Sequence, residues 1–383
     1  MAPELMRISI VLIISVILVA DLSVCEHESL ANSRHSPDSS PEAEVLRVRD
    51  LGPLKFPRII NGRDGGYSTR FAGRSVWVFG DSILNSRAAD GSRWRSSTWC
   101  WTRDFDPRNG LGFHEPVDQR GAPSEFLPFT EEELAYNDAH NRETLPDEQR
   151  SRWALWPGPI VVGSGRAYVF YSKVFSRVGP WAFKSVGRSI AVWEELDSPP
   201  ARPQVRPGTA EPTLLFPEDE VPLGAGALVV EDWLYAYGCR QEGLAFGCVV
   251  GRAKFAEALT RDAWKFFAGD GKWSSDTRAG VIVLRAAPML SVHWNEHLSR
   301  YLAVYSTPLI NTIEIRTALR PEGPWSASRV VVKGRAPLTK TWDYCGMAHA
   351  ELAHESGRTE YVTYCRETGF LRSELRLVEL TFR

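Results

Sequence analysis

Five times along this chain an apolar stretch closes on an aromatic residue followed by small or polar ones: "VWVFGDS", "AYVFYSK", "WLYAYGCR", "YLAVYSTP" and "YVTYCRE". A partner stretch precedes each, at 66–71, 159–163, 224–230, 289–294 and 345–353, across turns such as "AGRS", "GSGR" and "VED". Apolar runs joined by turn residues read as β-hairpins, and one hairpin recurring at long intervals reads as a supersecondary unit used repeatedly. Helical periodicity is nearly absent; the best window, Thr130 to Glu143, is polar and follows the first hairpin. The expected fold is all-β, a five-bladed β-propeller of about 65 residues per blade, each blade opening on an inner hairpin. A β-sandwich is the alternative, but it would leave five copies of one ending unexplained.

With 43% apolar and 11% aromatic residues in 383, the chain can bury a large core. Its net charge of −2 advertises no polyanion such as nucleic acid, so a small or neutral ligand is the natural partner, and no partner protein is identifiable. Arg7 precedes an unbroken apolar run from Ile8 to Ala20, which is signal-peptide length. Residues 1–25 are therefore expected to be a signal peptide or, through Cys25 in "LSVC", a lipoprotein signal, making the protein secreted or attached to the cell envelope. An uncleaved anchor is the alternative. The Ser-, Pro- and charge-rich stretch 26–55 reads as a disordered linker, and the propeller is expected over 56–383.

The first hairpin, "IINGRDGGYSTRFAGRSVWVFGDS", carries an aspartate at each end, Asp64 before the first strand and Asp81 after the second. In a propeller blade the innermost strand starts on the face bearing the central funnel, and its partner returns there. Counted outward from the "AGRS" turn, the two aspartates fall within a residue of being cross-strand partners, which puts their β-carbons roughly 5 to 8 Å apart. That range spans the carboxyl separations of retaining (about 5 Å) and inverting (about 6.5–9.5 Å) glycosidases. Two carboxylates so close do not ionise independently; one stays protonated as an acid while the other serves as base or nucleophile. The competing reading is that Asp64 begins a turn before Gly65 and Gly66 while Asp81 caps a loop.

The motifs "GRDGGYS", "VWVFGDS", "YSTPLINTIEIRTALRPEGPWS" and "YCGMAHAELAHESGRTEYVTYCRETG" resemble secreted bacterial five-bladed propellers catalogued as domain of unknown function 4185. Some members of that family are endo-D-arabinanases, and the resemblance spans the body from about Phe56 to Arg383. It implies a glycoside hydrolase acting on a furanose polysaccharide, with Asp64 and Asp81 matching the family's acidic pair. Better-known arabinanase propellers supply a glutamate from their third blade, whereas here that stretch reads "PLGAGALVV", without an acid. A non-catalytic propeller that holds a glycan or a protein is the alternative function.

By the same geometry Trp156, Arg240, Asn311, Glu314, His349 and Arg366 are expected near the funnel as substrate-binding groups, and Asp343 as a substitute third acid. Trp156 would stack on a sugar or pack in a blade; His349 is as readily a channel histidine. Trp94, Trp99 and Trp101 in the loop leaving Asp81 would line a cleft or form a buried cluster. Cys239 with Cys248, and Cys345 with Cys365, straddle hairpins closely enough to bridge, whereas Cys100 is left over. No zinc-spaced cluster and no nucleotide or serine-hydrolase motif occurs, so no cofactor is expected beyond a structural ion in the channel.

Overall fold

The computed structural model describes residues 43–142, 144–179, 182–242, 245–339 and 341–383. The proposed signal segment and Cys25 lie outside them. The chain forms five antiparallel sheets. The first contains β2 (Ile60–Phe71), β3 (Arg74–Leu84), β4 (Trp94–Arg95) and β5 (Thr98–Thr102), and the second β6 (Ser151–Gly163), β7 (Arg166–Arg177), β8 (Phe183–Trp193) and β9 (Phe216–Pro217). The third is built on β10 (Leu223–Val230), β11 (Trp233–Glu242) and β12 (Ala245–Lys254), with β13 (Lys265–Phe267), β14 (Trp273–Ser274) and β15 (Leu284–Arg285) outside them. The fourth runs from β16 (Leu290–Asn295) through β17 (Arg300–Ser306) and β18 (Thr312–Ala318) to β19 (Arg329–Lys333). The fifth runs from β20 (Tyr344–Ala348) through β21 (Thr359–Gly369) to β22 (Arg372–Phe382).

Each repeated hairpin is the inner pair of one sheet. The innermost strands touch in the cycle β2, β6, β10, β16, β20 and back to β2, which makes the five sheets the blades of a closed propeller. Closure is completed by β1 (Val45–Pro53), which pairs with β22 as the outer strand of the last blade. A ring joined by strands from both chain ends leaves only short protected edges, which is how propellers avoid open-edge association.

β1 corrects the expected boundary, because residues 45–53 belong to the fold and not to a linker. It escaped notice because it has one paired edge and carries Arg47, Arg49 and Asp50 beside the exposed Leu46 and Val48, so no apolar alternation advertises it. The polar window at 130 does form a helix, α1 (Glu131–His140), fixed by a capping box between Thr130 and Glu133. Its Asn137 side chain accepts from the Trp153 amide (2.7 Å) and donates to the Trp153 carbonyl (3.1 Å). Glu133 pairs with Lys173 and Arg202. The insert thereby holds the start of β6 in place.

Apolar layers fill the spaces between blades. Val76, Trp77 and Phe79 of the first blade are fully buried and share a cluster with Trp193 of the second, while Trp264 and Phe266 pack between the second and third. Cys239 and Cys248 face each other across β11 and β12 and form a disulfide. Cys345 and Cys365 are free thiols, as is Cys100, and all three are buried. The register explains the difference, since Cys365 lies opposite Tyr344 and not opposite Cys345.

Candidate functional site

The inner hairpin of the first blade extends further than its sequence suggests, so Asp64 lies within β2 and Asp81 within β3. Arg63 pairs with Ser82, and the next pairing is Gly65 with Phe79, which sets Asp64 against the Gly80–Asp81 step. Register slips at Ile60/Gly62, Arg63/Gly65 and Gly65/Tyr67 mark bulges around the aspartate. Gly65 (φ 93°) and Gly66 (φ 115°) make this kink affordable, and a β-carbon on Gly66 would also press to 3.1 Å from Leu375. Alternation sends the flanking Arg63 into the blade, where it pairs with buried Glu115 and sits 4.2 Å from the Phe79 ring centroid. Asp64 is half-buried, as is Asp81.

The two carboxyl groups have different surroundings. Asp81 Oδ1 accepts two indole N–H groups, from Trp94 and Trp156, each at 2.9 Å. The Arg152 guanidinium bears on it electrostatically and stacks 3.4 Å from the Trp94 ring centroid. Burial raises the Asp81 pKa, while Arg152, Trp156 and Trp94 pull it back. Asp64 has one stabilising partner, the Tyr344 hydroxyl, which donates to its Oδ1. Burial, with the like charges of Asp81 and Glu367 added, pushes Asp64 up to about 8 against that hydrogen bond. A carboxyl group raised by burial with like charges beside it keeps its proton at neutral pH, and one held by two N–H donors and a guanidinium gives its proton up first.

Of the other expected residues, Trp156 joins the pair, as a hydrogen-bond donor on Asp81. Trp94 does the same from β4, opposite Ile83. Trp99 packs on Phe126 and Trp193 inside the core, and Trp101 on His114, because β5 carries them along β3 away from the funnel.

Asp343 does not present an acid to the funnel. It is 0% exposed, its amide donates to Asn311 Oδ1 (2.9 Å), and its carboxyl lies so close to Gly334 that no larger residue fits there. Burial raises its pKa to about 7. Asn311 therefore acts as a clamp on that segment. Glu314 is tied up within the fourth blade by the hydroxyls of Tyr305, Thr307 and Ser328. Arg240 is exposed opposite Gly247, with no hydrogen bond to the pair among the described residues. His349 is wholly buried, bonded to Ser68 (2.6 Å) and Thr363 (2.7 Å) and stacked 4.0 Å from the Trp77 ring centroid. Its pKa is lowered to about 3 by burial, which makes it a neutral packing group.

Arg366 misses the site by one position. It bonds Glu374 and the Ala336 carbonyl, whereas the next residue, Glu367, turns to the other face of β21 and bears on Asp64. Glu367 Oε2 accepts from Thr339 (2.8 Å), and burial raises its pKa. Glu125 is a further acid near the pair: it accepts the amides of Ser96 (2.9 Å) and Ser97 (3.0 Å) and bears on Arg152. Burial pushes it up to about 7. Sequence reasoning missed Tyr344, Arg152, Glu125 and Glu367. The "CRE" ending contained Glu367, and two-residue alternation from Cys365 could have found it. Among the described residues no three His, Cys, Asp or Glu side chains gather as a metal site.

A closed ring of five blades, with Asp64 and Asp81 on the inner hairpin of the first, defines a five-bladed β-propeller. Residues 58–365 match the model of a domain of unknown function, DUF4185, and the chain belongs to that family. The fold is similar to that of a Bacteroides ovatus ATCC 8483 protein described provisionally as a hydrolase, at TM-score 0.54 and 15% identity over 86% of this chain and 87% of that one. More distant similarity links it to a Podospora anserina α-L-arabinofuranosidase solved with cellotriose (TM-score 0.46, 9% identity, 88% and 97% covered). The Bacillus subtilis arabinanase stands at a like distance (TM-score 0.45, 10% identity, 87% and 97% covered). These likenesses concern the fold. No curated protein matches the sequence.

Proposed function

We propose that the chain is a secreted glycoside hydrolase that cleaves a furanose polysaccharide in the manner of an endo-D-arabinanase, with Asp64 as general acid and Asp81 as base or nucleophile. The observation that carries this reading is the unequal treatment of two neighbouring carboxyl groups, Asp64 raised to about 8 and Asp81 held by two indoles beside Arg152. Glycosidic cleavage needs that inequality: one carboxyl protonates the departing oxygen as its bond to the anomeric carbon breaks, while the other deprotonates the attacking water or attacks directly. The furanose substrate is supported by the resemblance, through "RDGG" and "FGD", to propellers of the DUF4185 family that are endo-D-arabinanases. Glu367 is proposed to raise the Asp64 pKa further, and Trp156 and Trp94 to orient Asp81.

Incubation with arabinan, arabinogalactan and xylan, read by product chromatography, tests the reading. Shorter arabinose oligomers with the native chain, and none with Asp81→Asn, are expected. Binding without cleavage, lost in both aspartate variants, would instead make the funnel a glycan-holding site.

A further inference from the structure

Beside Trp156 a narrow cleft opens among the inner strands of the first four blades. Pro157, Ser172, Gly224, Met289 and Arg188 are among its lining. The cleft admits about 20 Å³, room for one oxygen-sized group, so the tip of a substituent enters and a sugar ring stays outside. Arg188 reaches the cleft from β8, opposite Ser172 of β7. It has no ion-pair or hydrogen-bond partner among the described residues, and its Nε is fully enclosed. The one titratable group that bears on it is the Tyr67 hydroxyl, which already donates to the Ala225 carbonyl at 2.7 Å. Burial lowers the Arg188 pKa, the mark of a cation without a counter-charge.

An unpaired guanidinium with an enclosed Nε is costly, and Arg63 and Arg202 show the paired alternative: Arg63 pairs with Glu115 and Arg202 with Glu133. A ligand that brings an anion repays it, because guanidinium binds a planar carboxylate through two parallel hydrogen bonds. Trp156 is the shared wall, lining the cleft while its N–H holds Asp81. We infer that Arg188 forms the floor of an anion subsite next to the carboxyl pair, so that the glycan entering this funnel carries a carboxylate or other anionic substituent close to the bond it presents to Asp64 and Asp81.

This inference rests on the proposed sugar-binding role of the funnel, and binding is therefore measured apart from turnover. Calorimetric titration would compare methyl α-D-arabinofuranoside, its C5 carboxylate and its 5-phosphate, which share the furanose ring and differ at one substituent. The carboxylate is expected to bind at least about tenfold more tightly than the neutral furanoside, with the preference falling as salt is added. Arg188→Gln should abolish the preference and Arg188→Lys retain part of it, each checked for a native thermal transition. Asp64→Asn should keep it, which separates the subsite from catalysis. Tighter binding of the 5-phosphate alone would identify the anion as phosphate. Equal binding of charged and neutral rings, no binding of any of the three, or a preference that survives Arg188→Gln would overturn the inference. Anion-selective binding by a chain that cleaves no glycan would leave the subsite standing and remove the hydrolase.

Discussion

Replacing Asp64 with asparagine should make the protein inactive and more stable at once. The amide keeps the carboxyl's shape, and the Tyr344 hydroxyl can still donate to its Oδ1. The proton needed by the leaving oxygen is gone, so turnover should fall at least about a hundredfold. The stability change follows from linkage. Asp64 titrates at about 8 in the fold against 3.8 as a free side chain, so between those values the folded state binds a proton that the unfolded state does not. The native chain's stability from this group is complete below pH 3.8 and drains away as pH rises to 8. At 1.36 kcal/mol per pH unit the whole interval would cost about 5–6 kcal/mol. Screening of a side chain open to the funnel brings this to about 2–3 kcal/mol. Asparagine carries no such cost. Thermal unfolding of both proteins from pH 4 to 9 should therefore give matching Tm values near pH 4 and an advantage of a few degrees to the variant above pH 8. A Tm difference independent of pH would refute the raised pKa, and a variant that fails to fold would show that Asp64 serves as a turn residue.

In the native chain kcat/KM should decline on the alkaline side with an apparent pKa of about 8, while Arg152→Gln should move the acid limb upward by removing the cation that favours ionised Asp81; an unmoved limb would show that Arg152 does not control that group. Trp156→Phe removes one of two N–H groups on Asp81 Oδ1, and a several-fold loss of kcat in a folded protein is expected by steady-state kinetics. Deleting residues 1–54 takes away β1 and bares the β22 edge, so that chain should aggregate or lose its cooperative transition in calorimetry, whereas deletion of 1–42 should not. Peptide mapping without reductant should find Cys239 joined to Cys248 and the other described thiols free, and Cys239→Ser should cost about 2–3 kcal/mol in denaturant unfolding.

The architecture was legible because its signal is local and repeated. Each inner strand of a propeller is buried on both faces and must be apolar, and each returns through a tight turn, so five copies of "apolar run, aromatic, small residue" mark five blades without any knowledge of their packing. The Asp64 and Asp81 pairing was legible for the same reason, since both lie on one hairpin and register is counted from its turn. The position of β1 was hidden, because an outer strand faces solvent and its membership in the last blade is a contact across more than 300 residues. Of the groups brought from other blades, Trp156 was expected near the pair, but its hydrogen bond to Asp81 across 75 positions was not, and Tyr344, which reaches Asp64 across 280, was hidden altogether. Which of Arg366 and Glu367 turns toward Asp64 depends on strand phase. Sequence alone thus determined the repeating unit and the placing of two carboxyl groups on one hairpin. Ring closure decided the rest: it sets which charges and donors stand beside each carboxyl, and therefore which of two identical side chains holds the proton.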